Sequence, residues 1–183
     1  MIVNEKVFWV GIGCQRGAST QLIEKAIQQV FKENQLNQSA IAGIATIDYK
    51  ALEVGLVELC RLRNFSLKTF PAEMLRLVCV PNPSKIIEQV MGTSSVAEAA
   101  AILAASDVEW QTNIVNEISS THQSFKLNAS SFNLTPSLTS VEVRCLVPKQ
   151  IFRLQGEPGA VTIAVAQGSE KMASVIQPLS ENS

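Results

Sequence analysis

The chain has 183 residues, 46% of them hydrophobic and 17% charged, with a formal net charge of -1. That length and apolar content suffice for one domain with its own core and exclude a disordered chain. The near-neutral charge argues against a nucleic-acid partner, whose usual footprint is a basic stripe, and no apolar stretch is long enough to span a bilayer.

Val7 to Ile12 is continuously apolar and β-rich, which predicts a strand buried on both faces, as in a parallel sheet. It runs into the glycine-rich turn Gly11-Ile12-Gly13-Cys14-Gln15-Arg16-Gly17-Ala18-Ser19. Ser19 or Thr20 caps a helix to about Lys32, with Leu22, Ile23, Ala26, Ile27 and Val30 as its apolar stripe. Ser39 to Ile47 reads as a second strand, closed by Asp48-Tyr49-Lys50. Ala51 to Arg63 reads as a helix with Leu52, Leu56, Leu59 and Cys60 on one face. Leu67 to Phe70 is a short strand, and Pro71 opens a helical turn. After the apolar piece Val78 to Val80, two prolines hold Pro81-Asn82-Pro83-Ser84 extended. Ser84 to Met91 reads as a helix stopped at Gly92. Ser94 or Ser95 then caps Val96 to Ala105, whose alanines allow very close packing.

Asp107 to Ser140 is rich in Ser, Thr, Asn and Gln and reads as a polar insertion, with one short helix near Val108 to Ile118. Val141 to Val147 alternates as a strand, and Pro148-Lys149 closes it. Gln155 to Gly159 is a turn cluster and Ala160 to Ala166 a final strand, before a flexible tail over 167–183. Alternating strands and helices predict right-handed crossovers, and the last two strands predict an antiparallel pair. The expected fold is α/β: a three-layer α/β/α sandwich with a mixed, mostly parallel sheet, in one domain over 1–166.

The glycine turn feeding a helix N-terminus is an anion site by construction, and Arg16 adds a planar donor fork. Ligands of open α/β sheets bind beyond the carboxyl ends of the strands. The expected ligand-binding residues are therefore Gly11, Gly13, Cys14, Arg16, Gly17, Ser19, Asp48, Lys50 and Lys149, with Arg16, Lys50 and Lys149 converging on one anionic ligand. The helix N-terminus is expected to lower the Cys14 thiol pKa. Cys14 and Glu53 are thus the candidates for catalysis, as nucleophile and as acid/base. The competing readings are a small thiol filling the turn and ordinary solvated charges.

A P-loop requires Lys after its last glycine, and Ala18 stands there, which excludes it. A dinucleotide fingerprint is left open but disfavoured, because the glycine run holds one residue too many. The four cysteines, Cys14, Cys60, Cys79 and Cys145, are scattered, and His122 is the one histidine. No metal site and no cofactor are expected. Reduced thiols and a start without a basic leader point to a cytoplasmic protein.

A series of motifs resembles the CobE family, which is also the C-terminal domain of CbiG, in cobalamin (corrin) biosynthesis. The pieces are Gly11-Ile12-Gly13-Cys14-Gln15-Arg16-Gly17, Ala45 to Lys50 with Glu53 and Gly55-Leu56, Val80-Pro81-Asn82-Pro83-Ser84, Gly92 to Ala100, Leu146-Val147-Pro148-Lys149 and Pro158 to Ala164. Gln15 departs from the family pattern, which has a basic residue there, and so does the insertion. The resemblance implies a mixed-sheet α/β/α domain and a place in corrin-ring assembly. Full-length CbiG-type proteins are similar to cobalt-precorrin-5A hydrolases, which open a ring-attached lactone and release acetaldehyde; the present chain resembles their C-terminal portion. Corrin precursors carry many carboxylates, which suits Arg16, Lys50 and Lys149. Three expectations follow: binding of an acidic tetrapyrrole (precorrin) intermediate, hydrolysis of cobalt-precorrin-5A, or a non-catalytic partnership with other corrin-pathway enzymes through the insertion. Nucleic acid and membrane are not among the expected partners.

Overall fold

Strand β1 (Phe8–Cys14) lies in the middle of a five-stranded sheet of order β3-β2-β1-β5-β4. The computed structural model of the protein describes residues 5–85, 88, 89, 95–106 and 143–168. Strands β2 (Ile41–Ile47) and β3 (Ser66–Phe70) extend the sheet in parallel from one side of β1. On the other side β5 (Val161–Gln167) runs antiparallel to β1, and β4 (Arg144–Phe152) antiparallel to β5. β5 alone runs against the other strands, so the sheet is mixed and mostly parallel, as expected. Val10, Ile12, Ile44, Ile163 and Val165 have no exposed surface, as strands covered on both faces require.

Helices α1 (Thr20–Glu33) and α2 (Val54–Arg63) pack with one face of the sheet, and α3 (Ala72–Arg76) and α4 (Val96–Ala105) with the other. α1 starts where Ser19 Oγ accepts from Leu22 N at 3.0 Å, and its expected apolar stripe is buried. α2 starts later than its apolar run, because Asp48–Lys50 winds a 3₁₀ turn first. Leu52 therefore falls outside the helix and is 89% exposed rather than on its buried face. α2 ends with Asn64 in the left-handed region, a conformation Asn tolerates better than most residues.

β4 differs most from expectation. It does not close at Pro148-Lys149 but continues through them to Phe152. An edge strand tolerates a missing N–H, and the ladder register shifts between Val147 and Gln150 to accommodate the proline. Half of the expected helix over Ser84 to Met91, its stop at Gly92, the stretch 107–140 with His122, and the tail from 169 lie outside the described residues. Among the described residues no helix is long and apolar enough to cross a membrane.

Candidate functional site

β1 ends at Cys14 and β2 at Ile47, and beyond these ends the sheet opens into a cleft of about 480 Å³. Small-molecule sites commonly have this size. Its apolar lining comes from Ile47, from Val96 and Ala97 in the first turn of α4, and from Ile151 on β4. Lys50, Lys149 and Arg153 supply its cations, and Ser84, Ser95 and Thr162 its hydroxyls. The first turn of α4 brings the positive end of that helix into the wall. The cleft thus combines apolar surface with cationic side chains and a helix N-terminus, a chemistry that suits a ligand both hydrophobic and acidic.

A buried carboxylate fixes this wall. Glu98, in the first turn of α4, has no exposed surface. Its carboxylate accepts from Asn82 N and Asn82 Nδ2, both at 3.2 Å, and from Lys149 N at 3.0 Å. Lys149 Nζ in turn donates to the Asn82 carbonyl. Ser95 and Glu98 have the spacing of a capping box, and Ser95 Oγ accepts from Glu98 N at 3.4 Å. The Glu98 carboxylate, however, serves the Pro81–Ser84 loop and β4, so three chain segments bordering the cleft are tied at one point.

The glycine turn is filled from within the protein. Gly17 N donates to Glu53 Oε1 at 2.6 Å, and Lys50 Nζ donates to Glu53 Oε2 at 3.2 Å. The Gly17 amide, with Lys50 and the charge of Arg16, holds the Glu53 carboxyl below the usual carboxylate range. Ser19 Oγ donates to the Glu157 carboxylate while capping α1. A Cβ on Gly55 would stand 2.2 Å from the Ala18 carbonyl oxygen, so only glycine lets α2 come close enough to deliver Glu53. The turn does hold carboxylates, as its geometry suggested, and they are the protein's own.

Burial pushes the Cys14 thiol up, with Lys50 offsetting part of the shift. That is the reverse of the lowering expected at a helix N-terminus, because desolvation outweighs the nearby charge. Burial also raises Cys60 and Cys145 to about 11. These thiols stay protonated near neutrality and are poor nucleophiles. Iodoacetamide near neutral pH is expected to modify the exposed Cys79 well ahead of the other three, with Cys60 and Cys145 reacting as the pH approaches 11. Peptide mapping by mass spectrometry reads this order; early labelling of Cys14 would contradict its burial. Among the described residues no group of three or more His, Cys, Asp or Glu could hold a metal ion.

The family described as cobalamin synthesis G C-terminus matches residues 8–166. The chain belongs to this family. It is a cobalamin-biosynthesis protein of the CbiG C-terminal type. The cobalt-precorrin-5A hydrolase of Priestia megaterium is 28% identical over 103 residues, which are 56% of this chain and 28% of that protein. The match thus spans less than a third of that relative's length. Two solved structures share the fold. One is CobE, a protein from the cobalamin (vitamin B12) biosynthetic pathway, with a TM-score of 0.61 and 21% identity over 88% of this chain and 93% of that one. The other is the cobalamin biosynthesis protein chiG from Agrobacterium tumefaciens, with a TM-score of 0.51 and 21% identity over 90% and 100%.

On this family scaffold the expected site residues separate into groups. Gly13, Cys14, Lys50 and Lys149 line the cleft. Gly11 does not; it lies beneath α4, where a Cβ would stand 1.8 Å from the Ala97 carbonyl oxygen. Gly17 and Ser19 are engaged with Glu53 and Glu157. Arg16 and Asp48 are exposed and stand outside the cleft lining, so the structure brings Lys50 and Lys149 together but not Arg16 with them. Sequence reasoning missed Glu98, Asn82 and Arg153. The Ser95-to-Glu98 spacing is the capping-box signal that could have drawn attention to Glu98, and the prolines around Asn82 marked an extended stretch. No local pattern marked Arg153, which reaches the cleft because β4 runs longer than its apolar alternation.

Proposed function

We propose that this chain binds an acidic tetrapyrrole intermediate of corrin-ring assembly in the cleft at the carboxyl ends of β1 and β2. One observation carries the reading: an apolar cleft of about 480 Å³ bordered by Lys50, Lys149 and Arg153. A macrocycle edge gains from the apolar wall, while its peripheral carboxylates gain charge-assisted hydrogen bonds from the cations. Family membership supplies the ligand class, and the cleft supplies a place with the matching chemistry.

The candidates for a hydrolytic role are less well set. Cys14 is a protonated thiol, and Glu53 is occupied by Gly17 and Lys50. Binding without lactone opening is therefore the reading for this chain by itself.

Titrating a cobalt-precorrin into the protein is expected to shift its visible bands and saturate, with affinity falling as salt rises. Arg153→Ala removes one exposed cation that has no partner among the described residues, and is expected to weaken binding about tenfold. The same mixture is expected to release no acetaldehyde, with the full-length Priestia megaterium hydrolase as positive control. An unchanged spectrum, or equal binding by Arg153→Ala, would sink the site assignment.

A further inference from the structure

α2 is apolar on both of its sides. Gly55, Leu56, Leu59 and Cys60 form its buried face. On the opposite side stand Val54, Val57, Glu58, Arg61 and Leu62, the helical spacing of a single outward stripe. Val54 is 76% exposed, Leu62 64% and Val57 41%. Just before the helix, Tyr49 and Leu52 are also among the exposed large apolar side chains. A surface helix normally turns polar residues to water on this side, and an apolar stripe left uncovered marks an interaction surface.

The stripe is complementary to itself. About the point midway between Leu59 and Cys60, Glu58 exchanges with Arg61 and Val57 with Leu62. A two-fold axis perpendicular to the helix, running just outside the outward face at that level, lays two copies of α2 antiparallel. It sets Glu58 of each copy against Arg61 of the other across the middle of the seam, with Val57 and Leu62 on its flanks. We propose that a second copy of this chain docks on this face, α2 against α2. Thr20 Oγ1 donates to Glu58 Oε2 at 2.7 Å, which orients that carboxylate and leaves its other oxygen for the facing guanidinium. Arg61 has no partner among the described residues. The dimer does not depend on which ligand the cleft takes.

Sedimentation equilibrium of the full chain, from micromolar to millimolar, is expected to show a reversible monomer–dimer equilibrium. Val57→Glu with Leu62→Glu is expected to give a monomer whose thermal melt by circular dichroism keeps its cooperativity. Glu58→Arg alone or Arg61→Glu alone turns two attractive pairs into two repulsive ones, and is expected to weaken the dimer about tenfold. Combining the two reversals rebuilds both pairs with exchanged signs and is expected to restore the wild-type constant. A monomer at every concentration, or a dimer indifferent to these substitutions, overturns the proposal. So does a double reversal that fails to restore what each single one lost.

Discussion

Glu98→Ala is expected to lower the unfolding free energy by about 3 kcal/mol, which for a chain of this size depresses the melting temperature by about 10 °C. Three donors converge on the carboxylate, two of them backbone N–H groups. Removing it strands those donors in a partly covered site, and the empty volume adds a cavity cost. Glu98→Gln keeps one acceptor oxygen but turns an amide NH₂ toward other donors, so an intermediate loss is expected. The loss has a functional side. Without Glu98, Asn82 and the Lys149 backbone lose these hydrogen bonds to α4, and Ser84 and Lys149 both border the cleft. Precorrin titration is therefore expected to show weaker binding in Glu98→Ala even below its melting temperature. Denaturant unfolding gives the stability change, and an unchanged midpoint would show that the carboxylate is dispensable.

Local features of the chain made most of the architecture legible. The apolar run through Val10 and Ile12, the Ser19 cap and the stripe ending at Val30 depend on neighbours within a turn or two, and they gave β1 and α1 with ends shifted by one or two residues. Alternation of strands and helices gave parallel pairing of the first three strands. What was not legible depends on distant partners. The glycine turn looks like a vacant anion site until Glu53, 36 positions on, and Glu157, 138 positions on from Ser19, are seen to occupy it. Pro148 looks like a strand terminator until β4 proves to be the sheet edge, where a proline is tolerated. Leu52 looks like a core position because its spacing to Leu56 is helical; the 3₁₀ turn at Asp48–Lys50 delays the helix and turns it outward. Glu98 stands in a helix of alanines with no local sign of the partners of its carboxylate, which lie 16 and 51 positions away.

The two glycines of the opening Gly-x-Gly pair show how neighbouring residues of one motif take separate duties. At Gly11 a Cβ would stand 1.8 Å from the Ala97 carbonyl oxygen, 2.8 Å from its carbon and 2.9 Å from Ala101 Cβ. The obstacle is helix backbone, which cannot swing aside as a flexible side chain can. Gly11→Ala must therefore push α4 away from β1, and with it the buried contacts that Ala97, Ala100, Ala101 and Ala104 make by virtue of being small. Overpacking of this kind costs about 3 kcal/mol or more when a whole element has to shift. At Gly13 the same added atom meets Thr162 Cβ at 3.7 Å and Val96 Cβ at 3.9 Å, ordinary contact distances. Gly13 lines the cleft, so its new methyl group takes up space near the ligand. Gly13→Ala is expected to keep near-wild-type stability and to weaken precorrin binding, whereas Gly11→Ala is expected to lose stability first. Thermal melts and precorrin titrations of the two variants side by side test this division. Equal stability losses would mean that α4 does not rest on β1 as closely as the Gly11–Ala97 approach requires.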